Sequence, residues 1–178
     1  MGYPYNKCVI LGIDPGKISG WAIIVRGNYI DGGIAQNHIE RKDALIYAKY
    51  CSNEVYELPL IIAYEKWSPG WQKGKRSFQS IIGTGASWGA WQAVLEDAEI
   101  PKSHMFGIYP NTWRRAILGL RPGRYSREQA KQAAIALFNH HSSTGCSDHN
   151  EAEAYCIAYY CVYFEEVTKL LSKISEKP

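Results

Sequence analysis

The chain has 178 residues, 46% of them apolar, and a formal net charge of +3. That length suits a single domain over residues 1–178 with a real core, and the small net charge says little about partners until its distribution is read. No stretch reaches transmembrane length without a charge or a glycine, so no membrane partner is expected, and nothing at the N-terminus reads as a targeting segment.

Residues 9–13 (VILGI) are an apolar run closed by Asp14-Pro15-Gly16, the pattern of a buried strand ending in a turn. Residues 20–25 form a second run, and Arg26-Gly27-Asn28 turns it into a third, residues 29–35, so these strands make an antiparallel meander. Helical spacing follows over residues 41–56. Residues 58–64 (LPLIIAY) read as a fully buried strand that ends on Glu65. After a Pro, Gly and Lys-rich loop, residues 78–98 read as a helix of small residues, and residues 105–109 as a short strand closed by Pro110. Helices are expected over residues 111–118 and 126–139, the second opened by a Ser126/Gln129 capping box. A last helix runs from about residue 148 to 174. The order predicts an α/β architecture, a mixed sheet of meander plus parallel strands flanked by helices.

The five cysteines have no CxxC spacing, so they are expected as reduced thiols in a cytoplasmic protein, with Cys156 and Cys161 as small core residues. Basic residues gather in two places. Arg114, Arg115, Arg121, Arg124, Arg127 and Lys131 face one acid, Glu128, and Lys66, Lys73, Lys75 and Arg76 interleave with Trp67 and Trp71. Such stripes suit nucleic acid; the plain alternative is a solvated face.

The acids are placed more pointedly. Asp14 and Glu65 each end an apolar strand, and Asp148, Glu151 and Glu153 open the last helix in DHNEAEA. Taken singly, Asp14 suits a turn, Glu65 a surface strand end, and Asp148 with Glu151 a helix cap and its partner. Taken together they suit hard divalent cations, which bind oxygen. Two such ions roughly 4 Å apart activate water and stabilise the leaving oxygen in phosphodiester cleavage.

In combination, GIDPG followed by SGWAII, LPLIIAYE, the helix SIIGTGASWGAWQAVLEDAEIP, the basic YPNTWRRAILGLRPGRYSREQAKQAA and the closing DHNEAEAYCIA resemble RuvC-type Holliday junction resolvases of the RNase H-like nuclease superfamily, over nearly the whole chain. The resemblance implies an RNase H-like fold and a homodimer that nicks four-way DNA junctions symmetrically, with two Mg²⁺ ions per site and Mn²⁺ as a substitute. It matches Asp14 and Glu65 to the first two metal carboxylates and DHNE to the closing D-x-x-D. That register makes Asp148 and Glu151 ligands, on one helix face by their spacing. A register shifted by two puts Asn150 and Glu153 there instead, with His149 as a further ligand or relay. It also matches Arg114 to a catalytic-site lysine and Arg127 roughly to a second. Trp67 or Trp71 is implied as an aromatic wedge at the branch point, with Lys73, Lys75 and Arg76 on phosphates and Arg115, Arg121 and Arg124 as further DNA contacts. The helix carrying Trp88 and Trp91 is implied at the dimer interface. The alternatives are a related nuclease acting on other branched DNA or on RNA, and a binding module whose site has decayed.

Overall fold

The structure, a computed structural model, describes residues 7–66, 78–146 and 148–163. Trp67, Trp71, Lys73, Lys75 and Arg76 lie outside the described residues. Five strands form one sheet in the order β3-β2-β1-β4-β5. They are β1 (Val9–Asp14), β2 (Ser19–Val25), β3 (Asn28–Ala35), β4 (Leu60–Glu65) and β5 (Met105–Ile108). β1, β2 and β3 pair antiparallel, and β1, β4 and β5 pair parallel. The mixed sheet expected from the strand order is the one observed. The β2–β3 connection is the two-residue turn Arg26-Gly27, both with positive φ (53° and 81°), the hand that suits the twist of a hairpin.

Alternation along the central strands divides the core in two. Val9, Leu11 and Ile13 of β1 and Leu60 and Ile62 of β4 pack with helices α1 (His38–Tyr50) and α2 (Phe78–Asp97). Ile10 of β1 and Ile61 and Ala63 of β4 pack on the other face with α3 (Pro110–Leu118), α4 (Arg127–His141) and α5 (His149–Tyr163). By the same parity Asp14 and Glu65 turn toward α5. On the first face Trp91 is fully buried, while Trp88 stacks on Tyr64 at 4.1 Å between ring centroids.

Helix starts follow local chemistry. α1 begins earlier than residue 41 because Asn37 caps it: Asn37 Oδ1 accepts from Glu40 N (3.0 Å), and Glu40 Oε2 accepts from Gln36 N (2.6 Å). Its end passes into a π-turn, Cys51–Val55. The Ser126/Gln129 capping box forms as expected, with Gln129 N donating to Ser126 Oγ and Ser126 N to Gln129 Oε1. All five cysteines are free thiols. Among the described residues no helix is long and apolar enough to cross a membrane.

Candidate active site

The site is built first by strand register. β1 and β4 run parallel from Val9 opposite Leu60 to Ile13 opposite Tyr64, so the next step sets Asp14 beside Glu65, on strands roughly 4.8 Å apart. β5 pairs its last residue, Ile108, with Glu65. α3 begins two residues later, so its first turns hang over these strand ends. Trp113 of α3 is fully buried and its Nε1 donates to Glu65 Oε2 at 3.0 Å.

The third carboxylate comes from α5, and its identity depends on the helix's rotational phase. Any side chain on Gly12 would collide with the backbone of Ala154, and one on Gly20 with the backbone of Asn150. α5 therefore lies directly on β1 and β2. The residues turned to the sheet are spaced 150, 153–154 and 157–158, one helical stripe. Glu153 is in that stripe, 8% exposed. Asn150 is too: the position of a Cβ on Gly16 lies 3.8 Å from Asn150 Oδ1 and 3.9 Å from Asp14 Oδ2.

Asp148 and Glu151, the pair expected as metal ligands, have other partners in this structure. Asp148 caps α5, its Oδ1 accepting from Asn150 N (2.7 Å) and Asn150 Nδ2 (3.0 Å). Glu151 points across β3, where Tyr29 Oη donates to its Oε1 (2.7 Å) and Cys146 Sγ to its Oε2 (3.4 Å). Glu151 lies at the β3 side of that stripe, its Oε1 3.2 Å from where a Cβ on Gly32 would stand.

Arg114 joins the acids. Its Nη2 lies 3.1 Å from Glu153 Oε1 and 3.4 Å from Glu65 Oε2, and its guanidinium also lies over the Trp113 ring, 4.8 Å from the centroid. Burial opposes the arginine's charge, but Glu65 and Glu153 outweigh it and hold the pKa above its ordinary value. Asp14 is 9% exposed, and its pKa is raised well above the usual carboxylate range, first by burial and then by the charges of Glu153 and Glu65. Arg114 and Arg127 oppose that rise. Arg127 is the first residue of α4 and is exposed, as are Arg115, Arg121 and Arg124.

Nothing in the residue pattern marks Trp113 as a partner of Glu65 or Tyr29 as the holder of Glu151. Both are long-range contacts; the only local signal is the buried face of a short helix around Trp113. The pairing of Lys66 with Tyr109 is equally unmarked. Lys66 Nζ sits 5.0 Å above the ring of Tyr109, which is 49% exposed beside the strand ends.

The chain is similar in structure to T. thermophilus RuvC in complex with a Holliday junction substrate. The TM-score is 0.61 and the sequence identity 14%, over 90% of this chain and 96% of that one. The fold is RNase H-like. No family model and no curated protein sequence matches the chain. The RNase H-like frame thus carries a strand-end aspartate, a strand-end glutamate and a helix glutamate converging on one buried region, with one arginine between the glutamates.

The donor set suits a hard divalent cation. It offers carboxylate oxygens and an amide oxygen, and Asp14 lies buried beside two other carboxylates, more negative charge than one guanidinium neutralises. As the side chains stand, no three His, Cys, Asp or Glu among the described residues lie close enough to share an ion. Arg114 bridges two of the acids instead.

Proposed function

We propose that this chain is a divalent-metal-dependent endonuclease that resolves four-way DNA junctions. The observation that carries the reading is the convergence of Asp14, Glu65 and Glu153 from three separate elements beside a cationic rim. The similarity to T. thermophilus RuvC, whose structure holds a Holliday junction substrate, supports the choice of DNA. Asp14, Glu65 and Glu153 would hold Mg²⁺, with Asn150 Oδ1 as a neutral oxygen; Asp148 and Glu151 would support α5 from outside the cluster. When bound, two such ions supply an activated water and charge stabilisation for phosphodiester hydrolysis, and Mn²⁺ suits the same oxygens.

The chain's own groups do the rest. Arg114 and Arg127 bind the phosphate, where a planar guanidinium favours bidentate contact. Arg115, Arg121 and Arg124 engage the backbone farther along, fixing orientation without reading sequence. Trp67 or Trp71 stacks on a base at the branch point, with Lys73, Lys75 and Arg76 on the adjoining phosphates. The protein acts as a homodimer in the cytoplasm, one site per subunit, and cuts two strands of like polarity to leave nicks that a ligase can seal.

The test is cleavage of a synthetic mobile four-way junction beside linear duplex, a flap and an RNA–DNA hybrid, with Mg²⁺ and an Asp14→Asn control. Paired nicks in the junction alone, lost in the variant, support the reading. Cutting of the hybrid or of every branched substrate moves the function to a broader nuclease. Tight junction binding without cleavage under any divalent metal identifies a binding module.

A further inference from the structure

Arg114 is placed differently from a residue whose only task is to wait for a phosphate. One nitrogen, Nη2, spans Glu153 Oε1 at 3.1 Å and Glu65 Oε2 at 3.4 Å. Glu65 Oε2 also accepts from Trp113 Nε1. These are the oxygens a hard cation needs, and with the guanidinium between them no three acids share a point among the described residues. Yet the arginine is not fully settled there. Its Nε is buried with no hydrogen-bond partner among the described residues, and it meets each carboxylate through a single nitrogen instead of the two parallel bonds that make such pairs strong.

We propose that Arg114 is a built-in counter-ion: it closes the carboxylate cluster in the metal-free protein and leaves when a divalent cation enters, turning out to the DNA phosphate. The proposal rests on the metal-site reading above and adds the exchange. A guanidinium and a divalent cation compete for the same oxygens, because like charges at that separation repel strongly. Arginine keeps its proton throughout the working pH range, so it can yield the site only by moving. The released fork stands at the same strand ends, where exposed Arg127 also lowers the pKa of Asp14. Cation and phosphate therefore assist one another: the cation frees the guanidinium and the phosphate captures it, a coupling that must be reciprocal.

The experiment uses the full-length protein without DNA. In ¹⁵N-labelled protein the Arg114 Nε–Hε signal, assigned by its absence in Arg114→Lys, is followed as Mg²⁺ is added. The signal is expected to shift and sharpen in step with Mg²⁺ binding. In parallel, Mn²⁺ binding is measured by electron paramagnetic resonance for the wild type, Arg114→Gln, Arg114→Lys and Asp14→Asn. Arg114→Gln is expected to bind Mn²⁺ about fivefold tighter or more, within the usual range of site coupling. Saturation with Mg²⁺ that leaves the Arg114 signal unmoved overturns the exchange while leaving the metal site standing. So does an Arg114→Gln variant that folds and binds Mn²⁺ no tighter than wild type. Mn²⁺ binding that is absent, or unchanged by Asp14→Asn, brings down the metal site and the exchange together. The wild-type signal decides the matter even if Arg114→Gln does not fold.

Discussion

Glu153 and Glu151 differ by two positions and lead different lives. Glu153 is paired with Arg114, whereas Glu151 is held by Tyr29 and Cys146. Glu153→Gln is expected to lower junction cleavage by more than about a hundredfold, beyond what loss of a supporting hydrogen bond costs. Glu151→Gln is expected to keep most of the activity; equal losses in the two variants would return Glu151 to the metal set. Asp14 carries a separate expectation for stability. Its raised pKa means the metal-free folded state binds its proton more tightly than the unfolded chain does. This contribution therefore favours folding at low pH and is lost as pH rises above the ordinary aspartate value of 3.8. At neutral pH without metal, Asp14→Asn should raise stability by about 1 kcal/mol, or about 2–4 °C in Tm for a chain of this size. Thermal melts in a chelator compare the two proteins, and added Mg²⁺ should stabilise only the wild type.

The position of α5 decides which acid reaches the site, and two glycines decide the position of α5. Gly20→Ala sets a methyl group into the backbone of Asn150. It should destabilise the fold by about 1–3 kcal/mol, the usual cost of overpacking, and should lower cleavage more than DNA binding, because Glu153 and Asn150 move while the basic rim does not. Denaturant melts and a binding assay separate the two effects. The same close approach explains what is legible in the sequence. Strands announce themselves by their apolar runs and by the turns that close them, so Asp14 and Glu65 can each be placed at a strand end from the residues alone. The pairing of those strands comes from the sheet. Helix phase has no such local mark on α5. Ala152, Ala154 and Ala158 are all fully buried, so the helix shows little amphipathic contrast, and D-x-x-E at its start reads equally as a ligand pair or a cap. Gly12 and Gly20 stand within the strand runs with no mark that they admit a helix. The earlier start of α1 is legible in Asn37 and Glu40, an N-cap signature overshadowed by the apolar spacing that follows.

The two faces of the sheet divide the protein's tasks. The acids, Arg114 and the α3–α4 arginines share one face and its edge, while α2 covers the other. Around Gly83, Gly85 and Gly89 of α2, a Cβ would meet nothing within 4 Å among the described residues. If the dimer forms through this helix, Gly85→Arg should yield a folded monomer by sedimentation, with single, unpaired nicks; a dimer of unchanged stability would place the interface elsewhere. The basic rim predicts a salt signature. Replacing Arg115, Arg121 and Arg124 together by Gln should weaken binding to all junction sequences alike. It should also flatten the slope of log K against log salt by up to about 2.7, roughly 0.9 for each phosphate no longer neutralised. Titrations at several salt concentrations give that slope directly.

The carboxylates of the site stand far apart along the chain: Asp14 ends β1, Glu65 ends β4, and Glu153 lies in α5, the last described element. Local pairing of β1 with β2 brings none of them together. The cluster exists only once β4 has docked beside β1 and α5 has settled on Gly12 and Gly20, contacts of long sequence separation that form late in folding. A chain emerging from the ribosome therefore carries these acids as separate side chains until α5 is free to dock. On the nuclease reading proposed above, a partly made or partly unfolded copy would lack the assembled carboxylates and could not cut the DNA around it.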